Sequence, residues 1–115
     1  MADFGKHKII GFAQSRVVLF DGKQINIAES QKIRNKSEGF CWGYAGSGPS
    51  QLALAILIKA LPKKLATVPW LYHAFKEDYL VPLSSDQDFV IEVDFQDWAN
   101  RHRVAEWMSE NGVRV

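Results

Sequence analysis

The apolar positions are concentrated in one uninterrupted run, from Leu52 to Ile58, which contains no polar side chain. A helix built from this run is apolar around its whole circumference and therefore has to be buried on every side. Gly48 can cap such a helix, Pro49 suits its first position, and Gln51 can reach back to the backbone of the cap. The pattern predicts a buried central helix that begins between Ser47 and Pro49.

Short β-branched and aromatic runs on both sides of the central helix predict antiparallel strands. Lys8 to Ala13 and Val17 to Phe20 have strand composition, and Asp21-Gly22 is a two-residue hairpin signal before a further strand, KQINI. Phe89 to Phe95 places an apolar side chain at every second position, which is typical of a half-buried strand. Leu80 to Leu83 predicts a short strand at the edge of the sheet, because it contains a proline.

Two amphipathic helices are predicted in the second half of the chain. The first runs from about Val68 to Tyr79, with Thr67 as its cap. The second runs from Phe95 to Glu110, capped by Asp94 and closed by Asn111-Gly112. Its inner face carries Phe95, Trp98, Ala99, His102 and Ala105.

The segment from Ala28 to Glu38 is polar and basic, with Ile33 as its only large apolar residue, so a solvated loop or a lysine-protected edge strand is expected there. The predicted elements together indicate an α+β fold. In it, the N-terminal hairpin and the strands of the 80s and 90s form one antiparallel sheet, packed on the central helix with the two amphipathic helices beside it. Neither a linker nor a repeat divides the chain, which predicts a single domain over residues 1–115.

Charge and cysteine content narrow the class of protein. The net charge is only +1, although residues 1–64 hold ten Lys and Arg against four Asp and Glu. Near-neutrality disfavours nucleic-acid binding, since that is driven largely by basic charge. The lone Cys41 fits a reducing compartment, with the cytoplasm as the expected location. No apolar run has the length of a signal peptide or of a membrane span.

The glycine-rich loop before the central helix is the strongest candidate for a binding site. Gly43, Gly46 and Gly48 allow close approach to the backbone, and the N–H groups of a helix N-terminus favour an anion. Trp42 and Tyr44 flank the loop and offer rings on which a base can stack. The competing interpretation is structural: the glycines let the chain cross the buried helix, while the two aromatic rings pack in the core.

Basic residues shortly before the loop can supply charge to a bound phosphate or carboxylate. The candidate ligand-binding residues are therefore Arg34, Lys36, Trp42, Gly43, Tyr44, Gly46, Ser47, Gly48 and Gln51. The glycine spacing matches neither the dinucleotide fingerprint nor a phosphate-binding P-loop. The alternative for the basic segment is a solvated surface without a ligand.

Evidence for catalysis is weak. The three histidines fall in different predicted elements and show no metal-ligand spacing, and His102 is interpreted as a hydrogen-bonded histidine on a helix face. Cys41 has no base nearby in sequence, so ordinary burial is the better interpretation. The acids between Asp86 and Asp97 fit the solvated side of a strand followed by a helix cap. No catalytic residue, metal or cofactor is predicted, and an enzyme is the least favoured class.

The loop and the start of the central helix resemble a small family of unknown function found in bacteria, archaea and phages. The residues that carry the resemblance are Gly39-Phe40-x-Trp42-Gly43-Tyr44-x-Gly46-Ser47-Gly48-Pro49-x-Gln51-Leu52-Ala53-Leu54-Ala55. Phe75-Lys76 and a tryptophan in the final helix extend it, whereas Ala45 departs from it where glycine is expected. The resemblance implies a compact domain with a history on phage or mobile genomes, and it implies no activity.

Two functions follow from the sequence as hypotheses. The first is a non-enzymatic module that holds an anionic small molecule or a nucleotide at the loop from Gly43 to Gln51. The alternative is an accessory protein of a phage or mobile element that acts by protein contact, for instance by inhibiting a host factor. Neither the ligand, the partner nor the oligomeric state follows from the sequence.

Overall fold

The computed structural model describes residues 3–114, which form four strands and six helices. The strands are β1 (Lys6–Gly11), β2 (Val18–Phe20), β3 (Lys23–Gln24) and β4 (Phe89–Asp94). The helices are α1 (Ile27–Ile33), α2 (Ser47–Ala60), α3 (Lys63–Ala66), α4 (Pro69–Phe75), α5 (Phe95–Arg101) and α6 (Val104–Glu110). A π-helical turn, Lys76–Leu80, directly continues α4.

The four strands form one antiparallel sheet in the order β3-β2-β1-β4. Ile9 in the middle of β1 lies opposite Phe20 of β2 on one side and opposite Ile91 of β4 on the other. Asp21 and Gly22 between β2 and β3 both have positive φ (51° and 84°), as a tight hairpin turn requires. The predicted α+β class is thus confirmed, with the N-terminal hairpin and the strand of the 90s in one sheet.

Helix α2 is the centre of the core, as its apolar run predicts. Every residue from Gly48 to Leu57 is buried. Helices α1, α3 and α4 and the π-helical turn contact α2, and the buried apolar residues of helices and sheet form one cluster. The sheet contributes its inner side chains to this cluster, among them Ile9, Val18 and Phe89.

Helix α1 replaces the loop or edge strand expected at Ala28 to Ile33, so the prediction was wrong there, whereas residues 34–38 form the expected loop. Asn26 caps the helix, because its side-chain Oδ1 accepts a hydrogen bond of 2.9 Å from the N–H of Ala28. Ile27 and Ile33 pack against the core, and Ser30 is fully buried. The helix depends on contact with α2 more than on its own apolar pattern.

The second predicted helix is present, but its ends differ from the prediction. It begins at Pro69 with Val68 as the cap. Thr67 instead caps the C-terminal end of the preceding α3, where its hydroxyl donates to the carbonyl of Lys63. The prediction of a strand at Leu80 to Leu83 was wrong. Leu80 is the last residue of the π-helical turn, and its side chain is buried.

The final helix is split in two, contrary to the prediction of one helix from Phe95 to Glu110. Arg103 adopts a left-handed conformation (φ 56°) between α5 and α6, where it caps the start of α6. The cap at Asp94 is confirmed, since its carboxylate accepts the N–H of Asp97 at 3.0 Å. The break changes the buried face: Ala105 is exposed, and Met108 is buried instead.

Gly43 fixes the path of the chain where it approaches α2. Its φ is +88°, its N–H donates to the carbonyl of Leu80 at 2.8 Å, and a Cβ there would lie 2.5 Å from the backbone nitrogen of Ser85. Gly22 has a similar φ of +84°, but a Cβ at that position would meet no atom within 4 Å. The two glycines therefore share a backbone conformation and differ in packing.

Replacing a buried side chain of α2 by a carboxylate should unfold the protein. Leu54→Asp or Ile56→Asp would bury an unpaired charge at a cost of several kcal/mol, against a total stability of roughly 5–15 kcal/mol for such a domain. Val90→Asp is the control, since Val90 is 60% exposed. Thermal denaturation followed by circular dichroism should show no cooperative transition for either α2 variant and a near-normal one for the control. A normal melt for Leu54→Asp would contradict the burial of α2.

Comparing Gly43→Ala with Gly22→Ala separates backbone conformation from close packing. Both changes place a side chain in the left-handed region, at about 1–2 kcal/mol. Gly43→Ala should cost about 2 kcal/mol more, because Ser85 can move only with its backbone. Urea denaturation gives both free energies of unfolding, and equal losses would mean that the segment at Ser85 yields without cost.

Candidate functional site

Trp42, expected to offer its ring to a ligand, is fully buried. Its indole N–H donates to the carbonyl oxygens of Ser84 and Gln87, both at 3.1 Å. Its ring meets Phe89 edge to face, with 4.8 Å between the ring centroids. The prediction of a stacking surface at Trp42 was therefore wrong, because the ring serves the core and the turn before β4.

Gln51 is also used within the fold. Its side chain is fully buried, and its Oε1 accepts the backbone N–H groups of Lys36 at 2.7 Å and Ser37 at 3.1 Å. Its Nε2 donates to the hydroxyl of Ser30 at 2.8 Å. The amide thus connects α2 to α1 and the segment after it. The sequence suggested that this amide reaches back to the cap of α2, and that prediction was wrong.

The cap of α2 lies two residues before the predicted one. Gly46 is the cap, with no side-chain hydrogen bond, and Ser47 is the first helical residue. Gly48 and Pro49 follow inside the first turn, where both are buried. Among the described residues, the N–H groups of Ser47 and Gly48 find no acceptor.

Tyr44 occupies the space that the loop glycines create. A Cβ on Gly46 would collide with its ring, and a Cβ on Gly48 would lie 2.7 Å from Cys41 Cβ and 3.1 Å from the Tyr44 hydroxyl. The hydrogen bond with Cys41 raises the pKa of the Tyr44 phenol, and the charge of Arg16 counteracts this rise. Both glycines are therefore closely approached, as predicted, but by the side chains of Tyr44 and Cys41 rather than by a ligand. Tyr44 itself remains 47% exposed.

The two predicted cations do not act together at this loop. The side chain of Arg34 is exposed, while its backbone N–H closes α1 on the carbonyl of Ser30. Lys36 places its ammonium 5.8 Å from the centroid of the Tyr72 ring on α4. The basic segment therefore points its charges in more than one direction.

A cavity of about 610 Å³ opens between the loop that joins β1 to β2, the β3–α1 connection and the segment before Cys41. Its walls are residues 15–17, 24–27 and 39–40. Ile25 and Phe40 form a buried apolar side, and Arg16 is the one cationic residue of the lining. We call it the Arg16 cavity. The sequence did not predict it.

Arg16 occupies a backbone position that normally favours glycine. Its φ is +61°, and its N–H donates to the carbonyl of Phe12 at 2.8 Å, while the N–H of Phe12 donates back to Val17 at 3.0 Å. Tight hairpin loops of this kind end in a left-handed residue, for which glycine costs least. Arg16 therefore holds a strained backbone conformation, which proteins retain more often at functional sites than elsewhere.

The guanidinium of Arg16 is held without an opposite charge. It lies 4.7 Å from the centroid of the Trp42 ring, within the range of a cation–π contact. Its Nη1 is buried and has no hydrogen-bond partner, and no carboxylate of residues 3–114 forms an ion pair with it. The Trp42 ring thus supports a cation of the protein itself rather than a stacked ligand.

Polar side chains beside Arg16 can complete an anion site. Asn26 uses its Oδ1 to cap α1, which leaves its amide nitrogen as a donor at the cavity. Ser15 and Gln24 add a hydroxyl and a second amide to the lining. The arrangement can hold an oxyanion against Arg16 and an apolar group against Ile25 and Phe40.

The histidines are engaged by neighbours rather than by a common centre. His7 donates to the Asp21 carboxylate at 2.6 Å, and His102 donates to Asp78 at 2.7 Å. The backbone N–H of Lys8, followed by His7, lowers the pKa of Asp21. Within the described part of the chain, no group of three or more His, Cys, Asp or Glu side chains is placed to hold a metal ion.

The acidic residues near β4 also have structural partners. Asp88 accepts the backbone N–H of Ala13 at 2.7 Å, and Asp94 caps α5. These bonds support the interpretation of the acids as a solvated strand side and a helix cap. Across residues 3–114, no helix is both long enough and apolar enough to cross a bilayer.

Comparison with known proteins gives one result. No curated protein and no solved structure matches the chain significantly. One family of unknown function matches residues 8–110, which is most of the chain. This confirms the resemblance to an uncharacterised domain family, and the chain belongs to that family, DUF6166.

Proposed function

We propose that the protein is a non-enzymatic binding module whose Arg16 cavity holds an anionic small molecule. The observation that carries this proposal is the guanidinium of Arg16, partly buried on Trp42 and without a carboxylate partner in residues 3–114. Removing a charge from water without a partner costs several kcal/mol. A bound carboxylate or phosphate would offset that cost.

The chemistry of the cavity indicates a ligand with an acidic end and an apolar body. Arg favours planar, two-point hydrogen bonding to carboxylate and phosphate oxygens. Ile25 and Phe40 would contact the rest of the ligand, and the volume of about 610 Å³ suits a molecule of metabolite size. A nucleotide fits by volume, although its base would pack on aliphatic and Phe40 atoms rather than on Trp42.

The glycine-rich loop takes a supporting part in this proposal. Arg16 lies 4.7 Å from the centroid of the Trp42 ring, and Trp42 directly precedes the glycine-rich loop that leads into α2. The N–H groups of Ser47 and Gly48 would then add positive potential behind the site. The proposal therefore keeps the expected function, binding of an anionic small molecule, and assigns it to the Arg16 cavity instead of the loop from Gly43 to Gln51.

Protein contact is the second candidate, and the outer face of the sheet favours it. Val90 is 60% exposed and lies in register with Ile10, which in turn lies opposite Leu19. Phe12 adds an aromatic ring that is 37% exposed. An accessory protein of a phage or mobile element would use this face to block a host factor. The free thiol of Cys41 supports the cytoplasm as the place of action.

Arg16→Gln tests the ligand proposal, with Arg34→Gln as the matched control. Both changes remove one positive charge, and Arg34 is exposed away from the cavity lining. Small carboxylates, phosphate monoesters and mononucleotides are screened by thermal shift. A ligand at 100 times its Kd adds about 2.7 kcal/mol, which raises Tm by roughly 10 °C in a domain of this size. Wild type and Arg34→Gln should respond, and Arg16→Gln should not.

Unliganded stability distinguishes a binding role of Arg16 from a structural one. Without ligand, the free energy of unfolding of Arg16→Gln should lie within about 1 kcal/mol of the wild-type value. The loss of the cation–π contact lowers this free energy, and the removal of an unpaired buried charge raises it. Equal ligand-induced shifts in Arg16→Gln and wild type would overturn the proposal. The proposal would also be overturned if no ligand class raised the Tm of wild type, and that result would favour protein contact.

A further inference from the structure

Strand β4 forms an open edge of the sheet. In the order β3-β2-β1-β4 it pairs with β1 on one side, and no segment of residues 3–114 pairs with it on the other. Proteins usually protect edge strands from further pairing by brevity, lysine, proline or a bulge. The opposite edge, β3, has only two residues, whereas β4 has six, contains neither lysine nor proline, and pairs with β1 without a bulge. The edge at β4 is therefore long and regular enough to accept another strand.

The register of β4 on β1 shows which of its backbone groups point outward. The N–H of Phe95 donates to the carbonyl of Gly5 at 2.9 Å, so these two residues form a hydrogen-bonded pair of the antiparallel ladder. Such pairs alternate with pairs that exchange no hydrogen bonds, and Val90 and Glu92 belong to the second kind. Their N–H and C=O groups therefore point away from β1. We call these backbone groups of Val90 and Glu92 the β4 edge.

The side chains beside the β4 edge are acidic. Acids stand at alternate positions along the strand and the segment that leads into it, at Asp86, Asp88, Glu92 and Asp94. Between residues 77 and 100 the chain has seven acids and no Lys or Arg. Glu92 is exposed and forms no ion pair within residues 3–114, although Lys8 lies opposite it on β1. A cation on the outer side of β4 would therefore meet an unused carboxylate.

A second copy of the chain is poorly suited to this edge. In an antiparallel pair of two β4 strands, the outward groups of Val90 and Glu92 would bond to the same groups of the copy. Different registers place Glu92 opposite Glu92, Asp88 or Asp94 of the copy, and the register that pairs Glu92 with Val90 places Asp94 opposite Asp88. Like charges directly opposite each other destabilise paired strands. The acids thus disfavour a second copy and favour a segment with Lys or Arg at every second position.

We propose that the β4 edge binds an extended basic segment of another protein, which adds a fifth strand to the four-stranded sheet. The main chain of the segment bonds to Val90 and Glu92, and one of its cations lies beside the Glu92 carboxylate. Its alternate, apolar side chains cover Ile91, which is only partly buried. In this mode of recognition, main-chain bonds supply affinity and alternate side chains supply specificity. The edge differs from the exposed outer face considered above, and the proposal does not depend on the Arg16 cavity.

Amide hydrogen exchange in the presence of a synthetic peptide tests the proposal. The probe is a peptide of about seven residues in which lysine and valine alternate, which is long enough to span β4. Its control has the same composition with the lysines grouped at one end. With the probe at about ten times its Kd, about one-tenth of the protein is free, so the N–H groups of Val90 and Glu92 should exchange about tenfold more slowly. The N–H of Gln24, which points outward at the β3 edge, should not change.

Val90→Pro and Val90→Thr separate main-chain pairing from contact with the side chain. Proline removes the outward N–H at position 90 without breaking a hydrogen bond to β1, and edge strands tolerate proline where the missing donor faces solvent. Threonine keeps the donor and the β-branched shape. Val90→Pro should abolish the slowed exchange at Glu92, whereas Val90→Thr should retain it. Circular dichroism and a cooperative melt show whether each variant is folded.

Glu92→Lys tests the charge of the partner, with Glu110→Lys on α6 as the matched control at another exposed acid. Glu92→Lys should raise the Kd of the lysine–valine peptide about fivefold, since it replaces an attractive cross-strand pair by a repulsive one. Glu110→Lys should leave the Kd unchanged. Arg16→Gln should also bind the peptide as wild type does, which separates this result from the test of the Arg16 cavity.

The proposal is overturned if the alternating peptide does not slow exchange at Val90 and Glu92, or if the grouped peptide slows it equally. It is also overturned if Glu92→Lys binds the alternating peptide as tightly as wild type, and this variant decides the outcome if Val90→Pro does not fold. Chemical-shift changes at Ile10 and Leu19 without slowed exchange at the β4 edge would place the peptide on the outer face, and would overturn the proposal as well.

Discussion

The structure depends on the burial of α2, a helix that has no side suited to water. Elements from both halves of the chain surround it: α1 before it, α3, α4 and the π-helical turn after it. The polar Gln51 is tolerated inside because its amide is hydrogen-bonded to Ser30, Lys36 and Ser37. The bond to Gln51 also fixes the backbone of Lys36. The hydrogen bonding of a buried amide therefore helps to determine where a surface charge lies.

Elements with strong local signals were predictable from the sequence. The apolar run of α2, the Asp21-Gly22 turn and the cap at Asp94 each specify their structure within a few residues. Elements that depend on tertiary contact were not. Helix α1 has few apolar residues of its own, and the π-helical turn at Lys76 ends in residues that fit a short strand equally well. The left-handed conformation of Arg103 was also not predictable, because no glycine, asparagine or aspartate stands at that position or directly beside it.

The candidate site shows the same limit more sharply. Glycines with aromatic neighbours indicate either a ligand loop or a chain that crosses a buried helix, and only three-dimensional contacts distinguish the two. Trp42 proved to belong to the core, and Gln51 to the connection with α1. Arg16 could not be identified beforehand, because its significance lies in a positive φ and in a contact with a ring far along the chain.

Trp42 makes three unlike contacts with one side chain: its N–H binds the turn at Ser84 and Gln87, its edge meets Phe89, and its face supports Arg16. A smaller aromatic residue would preserve one of these contacts and lose another. No single neighbouring change can compensate for all three losses. In evolutionary terms, position 42 can drift only together with several others, which makes it one of the slowest positions expected in this chain.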